Sequence, residues 1–107
     1  MYLVTKTVSC PGETFSSIND FFTCQTNAGW DRTAFLAQLA VWQGNGKLVY
    51  FTTNMIDADT IQNISLWQDE AAYNEYEAFL ATEPFATYVT NCINAGMTLD
   101  TVETADV

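Results

Sequence analysis

Histidine is absent from this sequence of 107 residues, and basic residues are scarce: three Lys or Arg stand against 13 Asp or Glu, for a net charge of −10. The missing histidine excludes every mechanism that needs an imidazole base, nucleophile or metal ligand. The shortage of cations argues against nucleic acid and anionic membranes as partners, because both are bound through Lys and Arg. The sequence is instead rich in apolar residues, 49% hydrophobic and 14% aromatic, which supports one core in a single domain over residues 1–107.

The charge is uneven along the chain. All three basic residues lie within residues 1–47 beside three acids, whereas residues 48–107 contain ten acids and no base. We interpret this acidic second part as a solvated face that aids solubility. Repulsion of anionic ligands and adaptation to a salty medium, which screens such charge, are two further interpretations.

Cysteine is also sparse. Cys10, Cys24 and Cys92 are odd in number and form no CxxC pair, so we expect neither a disulfide framework nor a metal site. No charged leader and no apolar run of transmembrane length is visible. We therefore expect a cytoplasmic protein that binds no membrane.

Hydrophobic periodicity predicts the secondary structure. Four segments have the alternation or the β-branched and aromatic content of strands: 2–8, 47–56, 61–67 and 97–102. Helical spacing marks 13–23, 68–81 and the stretch between Thr82, a predicted N-cap, and Gly96. The polar residues 103–107 are expected to fray.

The segment 33–43 is compatible with two structures. Asp31 is a suitable N-cap for a helix whose apolar residues share one face and which ends at Gly44-Asn45-Gly46. The same three residues are also a natural hairpin turn, which would make 33–43 a strand. We favour the helix, and the strand stays open.

The hairpin formed by 47–56 and 61–67 contains the candidate site. If Asp57 pairs with Thr60, the numbers of opposed residues sum to 117 throughout, and this register sorts the side chains onto two faces. One face is assigned to the core: Val49, Phe51, Thr53, Met55, Gln62, Ile64 and Leu66. The other mixes aromatic and neutral polar groups, which is typical of a ligand pocket or a polar interface. Four of its members are our candidate ligand-binding residues: Tyr50, Asn54, Asn63 and Trp67.

The order of elements predicts an α+β, ferredoxin-like βαββαβ fold, with a four-stranded antiparallel sheet and helices on one face. Within that order, the stretch ISLWQDEAAYNEYEAFLATEPFATYV resembles the antibiotic-biosynthesis-monooxygenase-like group of the dimeric α/β-barrel superfamily. The Pro11-Gly12 pair after the first strand is also similar. The resemblance covers residues 46–99, and residues 1–12 more loosely. It implies a homodimer in which the two sheets pack together as a dimeric α/β barrel.

Several activities are implied by this resemblance: cofactor-free oxygenation of phenolic or quinol substrates, haem degradation, isomerisation and ligand sensing. Trp67 matches the group's Trp at the end of a strand, which lines the pocket in some members. The haem-degrading members use a His ligand, so the absence of histidine excludes that branch. No cofactor or metal is expected, and no catalytic residue is assigned.

We therefore predict a homodimer with a pocket for a small neutral apolar or aromatic ligand. A cofactor-independent monooxygenase-like or isomerase-like enzyme, acting on a phenolic or quinol substrate, is the alternative. Structural roles are also open. Trp67 would then pack between the sheet and the second helix, Asn54 and Asn63 would hydrogen-bond across strands, and the apolar sheet face would serve dimerisation alone.

Overall fold

The computed structural model describes all of residues 1–107 and contains four strands and four helices. The strands form one antiparallel sheet in the order β2-β3-β1-β4, so the predicted α+β, ferredoxin-like fold is confirmed. The elements are β1 (Tyr2–Ser9), α1 (Ile18–Asn27), α2 (Arg32–Gly44), β2 (Leu48–Asp57), β3 (Thr60–Trp67), α3 (Glu70–Leu80), α4 (Phe85–Asn94) and β4 (Thr98–Ala105).

The segment 33–43 is helical, and the strand alternative is wrong. The Asp31 carboxylate accepts the backbone N–H of Ala34 at 3.0 Å, so the predicted N-cap is confirmed. Phe35, Leu39 and Trp42 are buried on one side of α2, at a spacing that a strand could not keep on one face. The Gly-Asn-Gly sequence ends the helix instead of turning a hairpin.

Two helix starts and the C-terminal segment differ from the sequence predictions. Helix α1 begins five residues late, at Ile18, because the Phe15 N–H is bonded to the Ala58 carbonyl and holds that segment on the β2–β3 turn. Thr82 is not an N-cap, because its hydroxyl donates back to the Phe79 carbonyl at 2.6 Å. Residues 103–105 are not frayed: they continue β4 and pair with the first strand.

The helices cover one face of the sheet and leave the other without a helix. On β1 the residues alternate between buried and half-buried, and the buried ones pack beneath the helices with an aromatic core. That core is built largely from Trp30, Phe35, Trp42, Trp67, Tyr73, Tyr76 and Phe85. Lys6 and Ser65 are the two polar residues buried with this face.

The register of the β2–β3 hairpin departs from the predicted one. Asp57 pairs with Thr60 as predicted, but bulges lie between Met55 and Asp57 and between Leu48 and Tyr50. Between the two bulges every pair is shifted by one, so that Thr53 lies opposite Asn63 instead of Asn54. A shift of one residue moves each side chain of one strand to the other face, so the predicted division into two faces is wrong.

Candidate functional site

The sheet separates the four predicted site residues. Tyr50 and Asn54 lie on the face without helices, where Tyr50 is 39% exposed and the Asn54 amide donates to Thr52 Oγ1 at 3.4 Å. Asn63 and Trp67 lie on the helix-covered face, in register with buried residues of β1. The bulges of β2 cause this separation, since an unbulged strand would have placed all four on one side.

Trp67 is held entirely within the core. It is fully buried, and its indole Nε1 donates to the Ser65 hydroxyl at 2.8 Å. Its ring lies 5.1 Å from that of Tyr76 and 5.6 Å from that of Trp42. The residue packs between the sheet and the helices and does not line the cavity described next.

A cavity of about 90 Å³ lies between the helix-covered face and the four helices. This is several times the roughly 10–15 Å³ that one water molecule needs. All four strands and all four helices contribute to its lining of 17 residues, of which 12 are hydrophobic. Seven are aromatic, among them Trp30, Phe35, Phe51, Tyr76 and Tyr88.

Trp30 organises the aromatic wall. It lies in the loop between α1 and α2, after Gly29, whose φ of 103° is a conformation that favours glycine. Its backbone N–H donates to the Gln25 carbonyl at 2.9 Å. The indole meets Phe35, Phe85 and Tyr88 edge to face, with ring centroids 4.7–5.2 Å apart. Such contacts stabilise the wall beyond simple burial and hold the rings in place.

Polar groups enter the cavity from the sheet. The Thr53 hydroxyl donates to Asn63 Oδ1 at 2.9 Å, across the pair of strands that the bulges bring into register. This bond orients the Asn63 amide, and its Nδ2 group donates to no protein atom. The pair thus offers a fixed hydrogen-bond donor within an apolar space.

Lys6 lies opposite Asn63 on the neighbouring strand and adds a buried cation to the side of the cavity that the sheet forms. Its ammonium donates to Glu77 Oε1, which also accepts the Tyr73 hydroxyl at 2.7 Å. The ammonium lies 5.0 Å from the centroid of the Tyr76 ring, within the range of a cation–π interaction. Glu77 is not among the residues that line the cavity, and its carboxylate neutralises the Lys6 charge from outside the cavity.

The tyrosines around the cavity are held neutral. Burial raises the pKa of Tyr76 and of Tyr88 well above the ordinary value of 10.0. Burial, and then the hydrogen bond to Glu77, raises the pKa of Tyr73 in the same direction. At physiological pH these phenols therefore present ring faces and O–H donors, and none of them is a base.

Lys6, Thr53 and the residues of the aromatic wall are not among the site residues predicted from the sequence. The sequence pattern does indicate an unusual role for Lys6, because it shares the buried alternate positions of β1 with Tyr2, Val4 and Val8. A lysine at such a position is rarely buried without a partner. The sequence assigns Thr53 to the core face, where it lies, but its pairing with Asn63 is not predicted because it depends on the bulges.

No group of three or more His, Cys, Asp or Glu side chains is arranged to hold a metal ion. The three cysteines are free. None of the helices combines the length and the hydrophobicity that crossing a bilayer requires.

Comparison with known proteins gives a likeness of fold. In sequence, no family model and no curated protein matches the chain. Among solved structures, a dimeric ferredoxin-like protein from an uncultured marine organism has a TM-score of 0.60 at 12% identity, covering 100% of this chain and 95% of that one. An antibiotic biosynthesis monooxygenase has a TM-score of 0.54 at 16% identity, with 100% and 99% covered.

A third solved structure is SnoaB, a cofactor-independent oxygenase from Streptomyces nogalater. Its TM-score is 0.53 at 15% identity, and the match covers 99% of this chain and 92% of SnoaB. The fold resemblance inferred from the sequence, to ferredoxin-like proteins of the antibiotic-biosynthesis-monooxygenase type, is thereby confirmed.

Proposed function

We propose that the protein is a homodimer that binds a small, flat, largely apolar ligand in the cavity between its sheet and its helices. The observation that carries this proposal is the aromatic lining, seven rings around a space of about 90 Å³ with a few polar groups on one wall. Pockets of this make-up bind planar apolar molecules and use the few polar groups to orient them. The chain would act as one domain in the cytoplasm, where its free cysteines stay reduced.

The ligand would be oriented from the sheet. An aromatic ring between Trp30, Phe35 and Tyr76 would meet edges and faces already fixed by their own contacts. Asn63 Nδ2, which the Thr53 hydroxyl leaves as the free donor, would bind a ligand oxygen. Because both groups are preorganised, little side-chain freedom would be lost on binding.

The homodimer is supported by the uncovered face of the sheet. That face carries apolar side chains that a monomer would leave in water, with Val102 55% exposed. Two of the solved structures with this fold are dimeric ferredoxin-like proteins. In such an assembly Tyr50 and Asn54, on the same face, would lie between the two sheets and outside the ligand cavity.

An NMR titration with phenol tests the binding proposal. We expect saturable shifts of the Trp30 indole N–H resonance, and an affinity about fivefold weaker in Asn63→Ala, the loss typical of one hydrogen bond. Gln62→Ala, which changes the neighbouring side chain on the opposite face of β3, is the matched control and should bind as the wild type does. Unchanged resonances at saturating phenol would overturn the proposal.

Cofactor-independent oxygenation of a phenolic or quinol substrate is the second candidate function. Its specific support is the Lys6 ammonium beside Asn63. The pair with Glu77 uses one of its three N–H donors, so another is left to donate to the oxygen of an ionised phenol, the electron-rich form that O₂ can oxidise directly. We expect oxygen uptake with hydroquinones, lost in Lys6→Met and retained in Gln62→Ala. Uptake at the uncatalysed rate would leave binding alone as the function.

A further inference from the structure

We propose that the ligand carries a carboxylate, which Arg32 binds where the cavity opens to the surface. The inference rests on the proposed ligand binding and deepens it by naming the ligand's charged group. It revises the expectation of a neutral ligand, which followed from the aromatic and neutral polar groups of the predicted hairpin face.

The sign of charge at the cavity is opposite to that of the protein. The chain has 13 acidic and three basic residues, yet none of the 17 lining residues is acidic and two of the three bases, Lys6 and Arg32, are among them. If the lining had the average composition of the chain, its acidic residues would outnumber its basic ones. The cavity therefore excludes carboxylates of the protein and collects its cations, as a site for an anion requires.

Of the three cations, Arg32 is the one without an acidic partner. Lys6 is paired with Glu77, and Lys47 with Glu75 at 2.8 Å. No carboxylate lies within ion-pair distance of Arg32, and its guanidinium donates no hydrogen bond to the protein. Its charge is available to a ligand.

Arg32 is also held in position. It is half-buried, and its guanidinium carbon lies 3.7 Å from the centroid of the Phe22 ring. The ring stabilises the cation but accepts none of its N–H donors. Besides the cavity, Arg32 borders a surface groove that it shares with Phe35, Phe51 and Thr53, which places it at the opening.

These features favour a carboxylate over other anions. The planar fork of a guanidinium matches the two oxygens of a carboxylate and binds them by two parallel hydrogen bonds. A flat molecule with its ring against Trp30 and Phe35, both of which line the same cavity, could present its carboxylate at Arg32. An aromatic or other planar carboxylic acid is the ligand class that fits both ends.

Paired NMR titrations with benzoate and benzamide, which share shape but differ in charge, test this. We expect the wild type to bind benzoate about tenfold more tightly than benzamide, a difference typical of a charge-assisted bidentate contact. Arg32→Gln should abolish that preference, because it weakens benzoate binding far more than benzamide binding, and an unchanged midpoint of thermal unfolding shows that the variant is folded. Arg32→Lys should restore part of the preference. Lys47→Gln, which removes the same charge elsewhere, should keep the full preference.

The failures of the two proposals are distinguishable. If benzamide and phenol bind but benzoate has no advantage, or if Arg32→Gln keeps the advantage, the carboxylate inference is overturned and the ligand cavity stands. If phenol, benzamide and benzoate all fail to bind, the cavity proposal fails and the inference with it.

Discussion

The indole Nε1 of Trp67 donates a hydrogen bond to the Ser65 hydroxyl at 2.8 Å, on the same face of β3 and out of contact with solvent. The family resemblance suggested that Trp67 lines a pocket, but its indole N–H finds its hydrogen-bond acceptor inside the core. Its partner is one of only two polar residues that are buried.

This pair makes Ser65 important for stability. Ser65→Ala should lower the free energy of unfolding by about 1–3 kcal/mol, because it leaves the buried indole N–H without an acceptor. Chemical denaturation measures the loss. Ser17→Ala is the matched control, since the Ser17 side chain is exposed and caps no backbone group, and it should change stability little. Equal losses in both variants would contradict the assigned role.

Removing Glu77 should destabilise the protein more than removing Lys6, because only the first change leaves a buried charge without its partner. Glu77→Ala leaves an ammonium that is 11% exposed without its counterion, and we expect a loss of about 1–3 kcal/mol. Lys6→Met removes the buried charge and fills the space of the lysine side chain, so the free energy of unfolding should change by less than about 1 kcal/mol. Glu75→Ala, at the surface pair with Lys47, should cost less than about 1 kcal/mol. A larger loss in Lys6→Met than in Glu77→Ala would reverse this interpretation.

Dimerisation through the uncovered sheet face predicts that one charge there dissociates the protein. Val102→Asp places a carboxylate on that face and should yield a monomer by light scattering. Val41→Asp is the matched control, because Val41 is 57% exposed on α2, close to the 55% of Val102. A wild-type monomer, or a dimer that survives Val102→Asp, would contradict the proposed interface.

Alkaline pH should unfold the protein through its tyrosines. A hydrogen bond to Glu103 raises the pKa of Tyr2 from 10.0 to about 12, and burial raises the pKa values of Tyr73, Tyr76 and Tyr88. A pKa that is raised in the folded state contributes stability that is complete below the unfolded value and is lost above it. We therefore expect the free energy of unfolding to fall as pH rises from about 10 to 12.

The ionisation of the thiols should also lower the free energy of unfolding, beginning at a lower pH than that of the tyrosines. Burial raises the pKa of Cys10 from 9.0 to about 11, so its contribution declines over that interval. Denaturation curves across these pH values, followed together with tyrosinate absorbance, separate the two groups. Stability that is constant up to pH 12 would show that the tyrosines are not held neutral by the fold.

The bulges of β2 show why the candidate site could be predicted only in part. Leu48 and Phe51 both pack beneath the helices, although an odd spacing places them on opposite faces of a regular strand. The bulge at Val49 brings both inside and leaves Val49 46% exposed. Neither Val49 nor Ile56, the residue at the second bulge, is a glycine or proline that would have marked an irregularity.

The sequence by itself determined the elements and the fold class, because periodicity and capping act between residues near in the chain: Asp31 caps α2, and Asp57 and Thr60 close the hairpin. The tertiary structure decided which residues meet. The cavity brings together Lys6, Arg32, Asn63 and Tyr76 from four different elements, and their contacts depend on bulges and helix packing. Such packing is a property of the whole core, since no local pattern records which face of a bulged strand the helices will cover.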